Sequence, residues 1–253
     1  MLLKDKRIIV TGGASGIAAA AIRAYVREGA RVASVDVNDE LGARVAAEAG
    51  SAVRYFHCDI ARRQEVFDVF AQAVAHLGGL DVLAHAAAVE GRTPAEDITD
   101  EEWDRIFNVN VKGTVYCNQA AFRHMKDRGG RIINFGSGAA IRGQAGSAHY
   151  SASKGAVMAW TRTAAQEWAK YNITVNCVVP AIWTPMYEAF RAHLSEQERT
   201  MHDMAMQFVV PLGGRLGDAD RDMAPVMVFL ASDAPRFMTG QTIAVDGGMI
   251  MLG

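Results

Sequence analysis

Short runs of Ile, Val, Leu and Ala alternate with longer stretches in which apolar residues recur every three or four positions. The short runs predict strands at residues 7–11, 31–36, 52–57, 80–85, 130–136, 173–179 and 241–245. The longer ones predict helices near 15–28, 39–49, 61–77, 100–127, 150–171 and 219–231. Strand–helix alternation of this kind requires crossover connections, so the sheet should be parallel and covered by helices on both faces. Uninterrupted apolar strands such as Ile8-Ile9-Val10 and Val82-Leu83-Ala84 fit that arrangement, since neither face meets water. The fold class is therefore α/β, a doubly wound parallel sheet of about seven strands, with residues 1–253 forming one domain.

Helix starts carry capping residues. Thr99-Asp100-Glu101-Glu102 reads as a capping box, in which hydroxyl and carboxylate each satisfy an orphan backbone N–H. Asn38 is placed to cap the helix after the second strand, with Asp39 and Glu40 in its first turn.

One segment interrupts the alternation. Residues 180–217 contain prolines, the pair Gly213-Gly214 and a helical stretch rich in Met and aromatics, among them Met186, Tyr187, Phe190, Met201, Met204, Met206 and Phe208. An insertion of this length in a compact domain is usually functional or disordered, and its apolar content argues against disorder. It is expected to form a helical lid over the substrate, the alternative being a satellite core or an oligomer contact.

Composition narrows the partners. Half of the residues are hydrophobic and the net charge is −2, so nothing recommends nucleic acid or an anionic membrane. No apolar stretch reaches the ~18 residues of a membrane span, and Met1–Arg7 runs into the first strand with no signal-peptide core. A cytoplasmic protein is expected, with Cys58, Cys117 and Cys177 as reduced core thiols. The seven histidines lack metal spacing, so no metal is expected.

Directly after the first strand comes Thr11-Gly12-Gly13-Ala14-Ser15-Gly16-Ile17. A glycine-rich turn between strand and helix lets the backbone approach a pyrophosphate, and the helix start supplies free N–H groups and a positive dipole end. The pattern is Gly12-x-x-x-Gly16-x-Ala18, with alanine where glycine is more usual. By itself it is a weak signal. Asp36 strengthens it: 24 residues after Gly12, it ends the second strand where a carboxylate meets the adenosine ribose. Such a carboxylate repels a 2′-phosphate, and neither Ala14 nor Val37 supplies a cation to hold one. NAD(H) is expected rather than NADP(H), on a Rossmann-like fold. Asp59, ending the third strand, is placed either to reach the adenine or to cap the next helix.

Tyr150 and Lys154 stand four residues apart, on one face of a predicted helix. An ammonium there is expected to stabilise phenolate and lower a pKa normally near 10. Ser137 lies just beyond the fifth strand, at the carboxyl edge where doubly wound sheets bind ligands, able to donate to a substrate oxygen as charge develops.

These motifs, with Asn108-Val109-Asn110, Asn176-Cys177-Val178-Val179-Pro180 and Asp246-Gly247-Gly248, resemble the short-chain dehydrogenase/reductase family over the whole chain. The resemblance implies a catalytic set of Asn110, Ser137, Tyr150 and Lys154. Tyr150 would be the acid/base, Ser137 would position the substrate oxygen, Lys154 would hold the nicotinamide ribose, and Asn110 would anchor a proton-relay water. It implies a cofactor site of Gly12, Ser15, Gly16, Ile17, Asp36, Asp59, Ile60, Ala86, Ala87, Tyr150, Lys154, Pro180, Ile182 and Thr184, with Val111 beside the nicotinamide. Glu90, Gln144, Trp183, Met186 and Tyr187 are expected, with Ser137, to meet the substrate.

Three departures from the family pattern stand out. His85-Ala86-Ala87-Ala88 replaces the usual Asn-Ala-Ala-Gly, and Ala88 and Ala181 stand where glycine is common. His85 is expected to find a different structural hydrogen-bond solution. The reading is an NAD-dependent oxidoreductase interconverting a secondary alcohol and a ketone, on an apolar or aromatic small molecule. Its rivals are a 3-oxoacyl-(acyl-carrier-protein) reductase using NADPH and a non-catalytic cofactor-binding regulator. A homotetramer, or a homodimer, is expected through the long helices, the last strand and the apolar Met249–Leu252 tail.

Overall fold

In a computed structural model, which describes residues 1–251, the chain builds a seven-stranded parallel sheet. Its strands are β1 (Arg7–Thr11), β2 (Arg31–Asp36), β3 (Val53–His57), β4 (Val82–His85), β5 (Gly130–Phe135), β6 (Ile173–Pro180) and β7 (Thr242–Val245). Their spatial order is β3-β2-β1-β4-β5-β6-β7. The order reverses between β1 and β4, and a crevice opens there at the carboxyl ends of the strands.

The helices are α1 (Gly16–Arg27), α2 (Asp39–Ala49), α3 (Arg63–Leu77), α4 (Asp100–Phe107), α5 (Gly113–Met125), α6 (Ala139–Arg142), α7 (Ala148–Trp168), α8 (Pro185–Ala192), α9 (Glu196–Val209) and α10 (Ala224–Ala231). Two cores result, one on each face of the sheet. Ile8 and Val10 of β1 pack with α1 and α10, while Ile9 between them packs with α3 and α5. Alternation of side chains along a strand thus turns one continuous apolar run into two buried faces, each isoleucine contributing about 1.5–3 kcal/mol. Asn38 caps α2, accepting from Leu41 N at 3.0 Å, and the Thr99–Glu102 capping box closes as expected. Cys58, Cys117 and Cys177 are buried free thiols. No helix among the described residues is long and apolar enough to cross a membrane. Leu252, the end of the predicted apolar tail, lies outside the described residues.

The predicted helix 100–127 is not continuous. A wide turn of π-helical geometry, Asn108–Lys112, separates α4 from α5, and Gly113 N reaches back five residues to Asn108 O. Such widenings of a helix frequently mark functional sites. The insertion forms α8 and α9, neither of which contains a buried residue. Met201, Met204 and Phe208 therefore face outward on α9 and add no satellite core in the single chain.

Candidate active site

The crevice is a cleft of about 510 Å³ running from the ends of β2 and β3 across the glycine-rich turn to β5 and α7. Its walls include every residue of the expected cofactor site, from Gly12, Ser15, Gly16 and Ile17 through Asp36, Asp59, Ile60, Ala86 and Ala87 to Tyr150, Lys154, Pro180, Ile182 and Thr184.

The glycine-rich end suits an anion. Gly12 has φ +74°, and a Cβ there would lie 2.8 Å from Ala87 N, so only glycine lets the turn pass this close to the loop after β4. Ser15 holds the cap position of α1, but its side chain makes no capping bond and no acidic residue occupies the first turn. The first N–H groups of α1 and its dipole are thus left for a ligand. Asp36 accepts from Ala14 N at 3.0 Å and from Asn38 N at 2.9 Å, so the glycine-rich turn itself orients the carboxylate. Asp59 accepts from Ala61 N at 3.0 Å, bracing the entry to α3 while also lining the cleft. These residues fit a dinucleotide: a pyrophosphate cradle, a carboxylate for the ribose and an apolar slot beyond.

At the other end, Lys154 is buried on α7 and donates to the Phe135 carbonyl at 2.9 Å. Burial lowers its pKa from 10.5 to about 8. The phenol of Tyr150 is pushed up to about 12, first by burial; the Ser137 hydroxyl pulls it down, and the charges of Glu90 and Arg92 act in opposite directions. This corrects the expected drop. In the free protein, loss of water around the phenolate outweighs any help from Lys154, which spends its hydrogen bond on β5.

Asn110 is fully buried at the wide turn behind the cleft. Its Oδ1 accepts from Val89 N at 2.8 Å, and its Nδ2 donates to Val89 O at 2.9 Å and to Ser153 Oγ at 3.0 Å. Ser153 in turn donates to the Tyr150 carbonyl at 2.7 Å. The side chain thus joins the loop after β4 to the first turns of α7.

His85 supplies the replacement bonds that the sequence left open. It sits between Thr11 Oγ1, 2.8 Å from Nδ1, and Thr114 Oγ1, 2.9 Å from Nε2. Burial and the nearby Lys154 depress its pKa to about 3, so the ring is neutral.

The expected substrate contacts divide. Ser137 and Met186 line the cleft, whereas Glu90, Gln144, Trp183 and Tyr187 do not. Trp183 and Tyr187 pack edge to face at 5.0 Å at the start of α8. Glu90 pairs with Arg92 at 3.0 Å, and the Arg92 guanidinium lies 3.7 Å from the centre of the Phe190 ring, joining α8 to the loop after β4. Gln144 is exposed in the loop before α7. Val111 is also displaced: Val109 takes the place on the cleft wall, because the widened turn changes which residues face the sheet. Val89, in the run after the departed Asn-Ala-Ala-Gly motif, lines the cleft as well, and so do Leu41 and Cys58, which no sequence motif marks. Thr184 caps α8, accepting from Tyr187 N at 3.3 Å, which leaves its hydroxyl hydrogen to donate.

Comparisons with known proteins agree in fold and reaction type. A family profile described as enoyl-(acyl carrier protein) reductase matches residues 12–250. The 2,5-dichloro-2,5-cyclohexadiene-1,4-diol dehydrogenase of Sphingobium indicum is 37% identical over 250 residues, covering 97% of each chain. The 3-oxoacyl-(acyl-carrier-protein) reductase of Thermotoga maritima is 35% identical, covering 99% of this chain and 100% of its own. The crystal structure of levodione reductase superposes with a TM-score of 0.91 at 29% identity, covering 97% of this chain and 98% of the other.

Proposed function

Because the chain belongs to the short-chain dehydrogenase/reductase family, we propose that it is an NAD-dependent oxidoreductase interconverting a secondary alcohol and a ketone on an apolar or aromatic substrate. One observation carries the cofactor assignment. Asp36 faces the cleft at the end of β2, and among the described residues the only Lys or Arg in the cleft wall is Lys154, at the β5 end. A 2′-phosphate would meet a carboxylate there with no cation to offset it. Ala88, Val89 and Met186 support an apolar substrate by lining the same cleft.

Bound NAD would supply or accept the hydride. Tyr150 holds its proton at the phenol oxygen and is suited to donate it to a developing alkoxide, while Ser137 hydrogen-bonds the same substrate oxygen. In the opposite direction the same phenol takes the alcohol proton. Lys154 keeps a positive charge beneath the reaction centre below a pKa of about 8. Asn110, clamped to Val89 and Ser153, keeps the loop after β4 in register with α7.

The test is NADH absorbance with a panel of secondary alcohols, aryl ketones, steroids and sugars, alongside titrations with NADH and NADPH. Tighter binding of NADPH, or no turnover across the panel, would overturn the proposal. A second reading, a 3-oxoacyl-(acyl-carrier-protein) reductase using NADPH, is favoured by the name of the Thermotoga maritima relative and opposed by Asp36. Turnover of a 3-oxoacyl thioester with NADPH would decide for it. Assembly into homotetramers, or homodimers, is proposed on Phe237, which is fully exposed, and Phe229, which is 41% exposed. Light scattering that returns a stable monomer would count against it.

A further inference from the structure

The imidazole of His85 does more than replace a missing amide. Thr114 Oγ1 has one hydrogen and donates it to the Asn110 carbonyl at 2.6 Å. It can therefore meet His85 Nε2, 2.9 Å away, only as an acceptor. Nε2 must carry the ring proton, and the neutral ring leaves Nδ1 to accept from Thr11 Oγ1 at 2.8 Å. The tautomer follows from the neighbours.

The result is an ordered chain of hydrogen bonds: Thr11 to His85 to Thr114 to the Asn110 carbonyl. From there the Asn110 side chain continues to Ser153 and the Tyr150 backbone. Thr11, His85, Thr114, Asn110 and Ser153 are each at most 2% exposed, so water does not compete for these bonds. Thr11 ends β1 where the glycine-rich turn begins, and its Oγ1 also accepts from Ala87 N at 3.4 Å. Asn110 occupies the wide turn, and an acceptor there held by a side-chain hydroxyl is sensitive to that hydroxyl's own anchor.

We propose that His85 is a positioning residue that couples the glycine-rich turn to the Asn110 turn, holding the Asn110 carbonyl through Thr114 while clamping Thr11. The proposal rests on the functional reading above. It goes beyond a brace on the Thr11 side alone, because the second ring nitrogen also reaches Thr114. A shorter amide at position 85 would keep that brace and release Thr114.

The test separates the two sides. Thr114→Val removes the hydroxyl with little change of shape and leaves His85–Thr11 intact, whereas Thr114→Ser keeps the hydroxyl. Histidine ring 15N spectra of the free protein, with His85 identified by its loss in His85→Asn, should show a neutral Nε2–H tautomer between pH 8 and pH 5. In Thr114→Val that preference should weaken, and the Asn110 side-chain amide signals should shift. Turnover should fall about tenfold, the scale of one buried hydrogen bond, with a displaced pH profile, NADH affinity within about twofold of wild type, and recovery in Thr114→Ser. A wild-type pH profile and unmoved Asn110 signals in Thr114→Val would overturn the coupling, as would an Nδ1–H tautomer at His85. If the wild-type protein turns over no alcohol or ketone, the functional reading fails and the spectra alone decide the coupling.

Discussion

Lys154 and Tyr150 share one face of α7, with the ammonium nitrogen 5.9 Å from the centre of the phenol ring, but the lysine's hydrogen bond goes to the Phe135 carbonyl. The pair is thus anchored to the sheet through β5, and the phenol remains a proton donor in the free protein. A bound oxidised nicotinamide would bring positive charge to this end of the cleft and favour the phenolate.

That relationship sets the pH dependence. A phenol raised to about 12 is protonated throughout the neutral range, which suits the acid required for ketone reduction. Alcohol oxidation needs the deprotonated form, so its kcat/KM should rise from pH 6 to pH 9, by about tenfold per pH unit wherever the phenol is still mostly protonated, while reduction stays nearly flat from pH 6 to pH 8. Initial rates in both directions check this. An oxidation rate indifferent to pH would remove Tyr150 as the base.

Tyr150→Phe should lower turnover by about 10²–10⁴-fold, the usual worth of a positioned acid/base group. The ring still fills its place on α7, so NADH should bind as before, as read by quenching of protein fluorescence. Substantial residual activity would reassign the proton donor.

Lys154→Met should trade activity for stability. The folded-state pKa of about 8 lies below the ordinary 10.5, so below pH 8 the folded protein carries a buried charge it would rather shed. That penalty, about 3 kcal/mol, disappears as pH rises from 8 to 10.5. Denaturant melts should find the variant more stable than wild type at pH 7, with the gap closing by pH 10. An unchanged gap would mean that the ammonium is better solvated than its burial implies.

Asp36→Ala should relax the preference for NADH over NADPH by about tenfold or more, the scale of one uncompensated charge contact. It also removes the acceptor of Ala14 N and Asn38 N, so a loss of about 1 kcal/mol in folding stability should accompany it. Paired cofactor titrations of wild type and variant measure both the preference and its loss.

Much of this was legible in the chain. Strand limits agree within two residues because strands buried on both faces, such as Ile8-Ile9-Val10, have no polar position to blur them. The Thr99–Glu102 and Asn38 caps were readable because capping is local. Gly12, Gly16 and Asp36 were readable because a turn between strand and helix fixes spacing along the sequence. The break at Asn108–Lys112 was not, since its supports, Val89 and Ser153, are distant in sequence. Of the residues expected to meet the substrate, Ser137 and Met186 line the cleft and the others do not, because which side chains face it is set by the packing of α8 and the loops.

The sequence alone determined the order of elements, the glycine-rich turn and the presence of a tyrosine and a lysine on one helix face, all set by short-range periodicity and steric demand. Only the tertiary structure decided the direction in which the Tyr150 phenol is shifted, the tautomer of His85 and the exposed face of α9. Each depends on burial and on partners brought together by the crossovers, and desolvation is a property of the packed molecule that no local spacing encodes.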